Sequence, residues 1–229
     1  MPFAATIDND TVSSLPAAHF DGRIVVVDSD AMVEAACRDL KRHNIIGFDT
    51  ETRPSFRTGV SYNVSLLQLS TPDTCYLFRL CRIRLDNRIL KILGSHTILK
   101  VGADVAGDIR SLRALRHFKA DGFIDLQHEA IRWGIEEKSL RKLSAIVLGE
   151  RVSKAQRLSN WEAGILTSQQ QEYAATDAWV CTRILEELQR TPVAGSLTII
   201  TSNEQPAPAK QHKRRHHTRR TKPHKTKEE

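Results

Sequence analysis

Apolar positions along this chain recur in short blocks whose period switches between that of a strand and that of a helix. Ile24-Val25-Val26-Val27 is a continuous β-branched run, and Asp28-Ser29-Asp30 behind it offers helix N-caps. Val33, Ala36, Cys37 and Leu40 follow at helical spacing and predict a helix to about Arg42. Ile45-Ile46-Gly47-Phe48-Asp49-Thr50-Glu51 reads as an apolar strand ending in two carboxylates. Residues 64–69 and 75–78 are two further strands, and Thr71-Pro72-Asp73 between them predicts an antiparallel hairpin.

Residues 86–93 predict a helix stopped by Gly94, and 97–101 a strand running into Gly102. Val105, Ile109, Leu112 and Leu115 predict a helix over 104–116, opened by Asp104 as a cap. Phe123-Ile124-Asp125 is a short strand. Helices are predicted over 126–133, 139–148 and 168–189, the last opened by a Thr167/Gln170 capping box. Strands come first and helices dominate later, which predicts one α/β domain over residues 21–192, a mixed β-sheet flanked by helices. Residues 1–20 lack periodicity and are expected to form a flexible leader. Residues 193–229 are expected to be a disordered basic tail, because 201–229 hold too few apolar residues to offset chain entropy.

Charge sharpens that division. The formal net charge is +7, and residues 210–229, with nine Lys/Arg and two Glu, carry all of it. The preceding residues balance. A tail containing Lys213, Arg214, Arg215, Arg219 and Arg220 is suited to bind nucleic acid through counterion release, either as a tether for substrate or as an anchor on RNA-rich particles. Its alternative reading is a solubilising tail. Cys37, Cys75, Cys81 and Cys181 form no CxxC pair, which argues against structural zinc and for reduced, mostly buried thiols in the cytoplasm. Trp133, Trp161 and Trp179 are expected in the core or at its rim. No apolar run reaches 18 residues, so no membrane span or membrane partner is expected, and the acidic N-terminus does not resemble a secretory signal.

Three carboxylate signals remain. Asp49 and Glu51 lie two apart on one strand and so share a face, where they repel unless cations lie between them. Oxygen ligands of this kind suit Mg²⁺ or Mn²⁺. Tyr173 and Asp177 lie at i, i+4 on one helix face, among Ala174, Ala175 and Ala178. Asp108 sits one turn into a helix that follows a strand and Gly102, where a carboxylate has little local reason to be. Each signal alone also reads as an ordinary polar strand end, surface pair or cap.

Their order along the chain is more specific. Phe48-Asp49-Thr50-Glu51-Thr52, then Lys100-Val101-Gly102 through Gly107-Asp108, then Tyr173-Ala174-Ala175-Thr176-Asp177-Ala178 resemble the three motifs of the DEDD superfamily of 3′–5′ exonucleases in its tyrosine branch. The exonuclease domains of ribonuclease D and the Werner helicase are of this kind. Leu66-Leu67-Gln68-Leu69 and Ser159-Asn160-Trp161 resemble further segments of that group, whereas Arg53-Pro54-Ser55-Phe56 matches nothing in its first-motif loop.

The resemblance implies a ribonuclease H-like fold and two divalent ions, Mg²⁺ or Mn²⁺. It implies hydrolysis of terminal phosphodiester bonds of RNA or DNA from a single-stranded 3′ end, releasing nucleoside monophosphates. Asp49 would bridge both ions, Glu51 and Asp177 would complete one site, Asp108 would hold the other, and Tyr173 would orient the attacking water. Thr50 and Phe56 would contact the nucleic acid, with Phe56 or Tyr62 stacking on a terminal base. Two other readings stay open: a catalytically silent nucleic-acid-binding module of the same fold, and a phosphohydrolase acting on nucleotides or short oligonucleotides.

Overall fold

The computed structural model describes residues 3–191 and 193–201. Six strands form one mixed sheet: β1 (Arg23–Val27), β2 (Ile45–Thr52), β3 (Val64–Ser70), β4 (Thr74–Phe78), β5 (Leu99–Gly102) and β6 (Phe123–Asp125). Their spatial order is β1-β4-β3-β2-β5-β6. The hairpin expected between residues 64–69 and 75–78 is present as the antiparallel β3–β4 pair, closed by Thr71 and Thr74. β2 runs antiparallel to β3 and parallel to β5, so it lies at the centre with neighbours of both kinds.

Helices cover both faces, which explains why β3 is buried at every position, its Ser65, Gln68 and Ser70 included. One face, including Ile46, Phe48, Leu67, Leu69 and Phe78, packs against α2 (Asp30–Leu40), α3 (Asn87–Leu93) and α4 (Val105–Leu115). The other, with Leu66, Cys75 and Leu77, meets α7 (Ser168–Arg190) through Ala174, Ala175 and Ala178. The Thr167/Gln170 capping box expected at the start of α7 is formed in both directions. α6 (Leu140–Leu148) packs beside α7. Residues 126–133 differ slightly from the single helix expected: α5 (Leu126–Glu129) tightens into a 3₁₀ turn (Ala130–Trp133) ended by Gly134. Cys37, Cys75 and Cys181 are buried free thiols and Cys81 is exposed. Trp133 and Trp161 lie in the core.

Two expectations about the ends need correction. Residues 1–20 are not loose throughout. α1 (Asn9–Ser14) is capped by Asp8 and buries Val12, and residues 15–18 are tied to Arg151. Phe20 is buried and packs on Trp179 at 5.6 Å. A helix this short places too few apolar residues in register to show a period, so its tertiary anchors were invisible in the sequence.

The tail, likewise, does not begin at 193. Ile200 exchanges backbone hydrogen bonds with Phe123 on the β6 edge, the Thr198 N–H donates to Glu129, and Arg132 donates to the carbonyls of Ala194 and Gly195. The edge strand's unpaired backbone groups supply the reason. The basic residues Lys213, Arg214, Arg215, Arg219 and Arg220 lie outside the described residues. Among the described residues, no helix is long and apolar enough to cross a membrane.

Candidate active site

β2 builds the site by alternation. Phe48 packs into the α2–α4 face, while Asp49 and Glu51 project to the α7 face. A register shift between Glu51 and Thr52 ends regular pairing just past the second carboxylate. α7 brings Asp177 to the same place, and Gly47 fixes how closely it can approach. A Cβ on Gly47 would lie 1.9 Å from the Ala178 carbonyl oxygen, so only glycine lets the helix backbone rest on the strand. Sequence reading passed over Gly47, whose signal was an isolated glycine inside an apolar strand.

Asp49, Glu51 and Asp177 each present an oxygen, and these atoms lie within 4.8 Å of one another. Glu51 is 9% and Asp177 6% exposed. Asp108 arrives from α4 on the other side of β2 and stands outside that trio. The Thr50 hydroxyl donates to its Oδ1 at 2.5 Å, and the Asp49 charge acts on it across β2. Thr50, expected to face nucleic acid, is thus occupied in holding Asp108. Tyr173 lies one turn before Asp177 on α7, where its phenol favours the ionised Asp177 carboxylate. The Trp161 ring, 6.0 Å from that of Tyr173, braces the phenol.

Asp104 does not cap α4 with its side chain. It adopts a left-handed conformation (φ 62°, ψ 37°) with its carboxylate over Gly107, and the Val105 N–H donates instead to Asp125 at 3.0 Å. Asp tolerates this region better than most residues, which reconciles the residue type with the bend.

The electrostatics follow from burial. Desolvation, then the charges of Asp49, Asp177 and Asp108, push Glu51 up to about 10. Burial lifts Asp49 to about 7. Asp108 and Asp177 are also raised well above the usual carboxylate range, by burial first and the Asp49 charge second. Burial and then the Asp177 charge raise the Tyr173 phenol, so it stays protonated at neutral pH. The Asp177 Oδ1 is buried with no hydrogen-bond partner. An orphaned carboxylate oxygen facing two other carboxylates is the environment a hard divalent cation satisfies, so the residues fit an oxygen-ligated metal. Tyr173 and Asp177 line a cavity of about 230 Å³ together with His19 and Gln156. A neighbouring cavity of about 440 Å³ is lined by Arg53, Phe56, Arg57 and Tyr62. Phe56 there is 82% exposed, and Arg53 stacks over Tyr62 at 4.8 Å.

A mixed sheet in this order, with an oxygen-only acidic pocket at the end of its central strand, defines a nuclease fold of the ribonuclease H-like class. Comparison with known proteins narrows the class. A family model described as 3′-5′ exonuclease matches residues 24–191, and the chain belongs to that family, within the DEDD superfamily. It is 32% identical over 188 residues to the mouse bifunctional 3′-5′ exonuclease/ATP-dependent helicase WRN, covering 76% of this chain. The chain spans only 13% of that protein's length. Among solved structures, the Aedes aegypti Nibbler EXO domain superposes with TM-score 0.65 at 25% identity, covering 82% of this chain and 92% of that one. Escherichia coli RNase D shares the fold with TM-score 0.63 at 21% identity, over 73% of this chain and 46% of that one.

Proposed function

We propose that this chain is a 3′–5′ exonuclease of the tyrosine branch, hydrolysing the terminal phosphodiester bond of a single-stranded RNA or DNA end and releasing nucleoside monophosphates. The convergence of Asp49, Glu51 and Asp177 within 4.8 Å, in a chain of the 3′-5′ exonuclease family, carries the reading. Asp49, Glu51 and Asp177 would hold one divalent ion, Mg²⁺ or Mn²⁺, and Asp49 with Asp108 a second. Bound there, such ions lower the pKa of water and stabilise charge on the attacking and leaving oxygens.

The protein's own residues do the rest. Four carboxylates beside two divalent ions would leave the local charge close to zero, so that an anionic phosphate can approach. Tyr173, held protonated, acts by hydrogen bonding: its hydroxyl orients the incoming water rather than removing its proton. Thr50 fixes the Asp108 carboxylate from behind. Phe56 and Tyr62, beside Arg53 and Arg57, offer an aromatic and cationic surface on which a terminal base can stack. The basic tail adds sequence-independent affinity for the strand or for RNA-rich particles.

The test is mutational. Asp49→Ala and Asp177→Ala should lower the rate of nucleotide release by about 10³-fold or more while the circular dichroism spectrum stays folded. Tyr173→Phe should lower kcat by about 10²-fold with little change in KM. Wild-type rates in either aspartate variant would refute the assignment.

A further inference from the structure

Gln68 stands on β3 directly opposite Asp49 in the β2–β3 ladder. Opposed residues of an antiparallel pair project to the same face, so its amide lies on the α7 side of the sheet, beside the carboxylate. The side chain is fully buried, and neither its Oε1 nor its Nε2 has a hydrogen-bond partner. The groups around it leave few ways to satisfy it. Leu77 on β4 is its other cross-strand neighbour, and Leu66 and Ser70 flank it on its own strand. The Ser70 hydroxyl already donates to the Thr71 carbonyl at 2.9 Å. Leu66, Leu77, Ala174 and Ala178 make the surrounding layer apolar. In such a layer an unpaired amide costs stability that a methionine or leucine would not. The polar group it faces across the ladder is the Asp49 carboxylate, whose Oδ1 already accepts from the Thr50 N–H at 2.9 Å.

We propose that Gln68 is a positioning residue for Asp49, donating from Nε2 to the Asp49 carboxylate through one buried water. The inference rests on the metal-dependent reading above and adds to it a residue outside the acidic set. A ligating carboxylate braced from behind keeps one rotamer and binds its ion with less loss of freedom. Partners of this kind are worth about 10- to 100-fold in metal affinity or activity. Gln68 therefore trades stability for a preorganised site.

The experiment is Mn²⁺ titration by calorimetry on the full chain without substrate, alongside thermal melts in chelator, for wild type, Gln68→Met, Gln68→Leu and Asp49→Asn. The expected result is Mn²⁺ affinity weakened about tenfold or more in Gln68→Met, with a chelator melting midpoint equal to or above wild type. Wild-type affinity in a folded Gln68→Met or Gln68→Leu would overturn the inference. Failure of both variants to fold would overturn it too, because the amide would then be structural. Asp49→Asn separates the two levels. If it loses Mn²⁺ binding while the Gln68 variants keep it, only the role of Gln68 falls. If Asp49→Asn binds as wild type does, the metal-dependent reading falls with it.

Discussion

Asp49 and Glu51 would ionise at 3.8 and 4.5 in an unperturbed chain, yet in the fold they hold protons to about 7 and about 10. Between those values the folded protein binds more protons than the unfolded one, so this pair makes stability fall as pH rises. Lys100 acts in the opposite sense. Burial pulls it down to about 7, although three backbone carbonyls at 2.6 Å accept from its ammonium and favour the charged form. The informative quantity is therefore a difference between proteins. In chelator, the melting midpoint of wild type should drop relative to Glu51→Gln as pH is raised from about 5 to about 9. Saturating Mn²⁺ should remove the drop, because ligands bind deprotonated. Parallel curves for the two proteins in chelator would contradict the burial of Glu51 as a charge-averse ligand. At this scale the spacing of D-x-E and Y-x-x-x-D was legible, since alternation and helical periodicity are local rules. The left-handed Asp104, the Thr50–Asp108 bond and the unpaired Gln68 were not, because each depends on a neighbour far along the chain.

Elements were legible where their period was long. α7, a 23-residue helix with eleven buried residues, announced itself through spacing and its capping box. The β3–β4 hairpin followed from its turn. α1 and residues 193–201 escaped notice because their order comes from what they touch: Arg151 and Trp179 for the one, the β6 edge for the other. The contact between α7 and β2 matters most for the site, and Gly47 sets it. Gly47→Ala would drive a methyl into the Ala178 carbonyl and push apart the two elements that bring Asp49 and Asp177 together. Urea denaturation should show destabilisation of about 3 kcal/mol, at the upper end for overpacking. A change below about 0.5 kcal/mol, the range of ordinary surface substitutions, would mean the helix can lift without cost and that Gly47 does not set the site.

At the scale of the whole molecule, a charge-balanced body carries a strongly cationic C-terminal segment. The two have separable roles on this account: chemistry at the β2–α7 junction, and salt-sensitive retention of the strand by the tail. Removing residues 205–229 should flatten the dependence of single-strand affinity on salt while leaving the rate at saturating substrate unchanged. An unaltered salt slope, measured by fluorescence anisotropy, would assign strand retention to the body. Composition located that charge. It could not indicate polarity of attack, since a 3′ preference depends on how a strand end meets the site in three dimensions. A degradation ladder on matched RNA and DNA strands, labelled at the 5′ or the 3′ end and run with Mg²⁺, Mn²⁺ or chelator, reads that directly. A metal-dependent 3′–5′ exonuclease gives a progressive one-nucleotide ladder from 5′-labelled strands, immediate release of mononucleotide from 3′-labelled ones, and neither in chelator or with Asp49→Ala. Internal cuts, shortening from the 5′ end, or cleavage that persists in chelator would contradict that assignment.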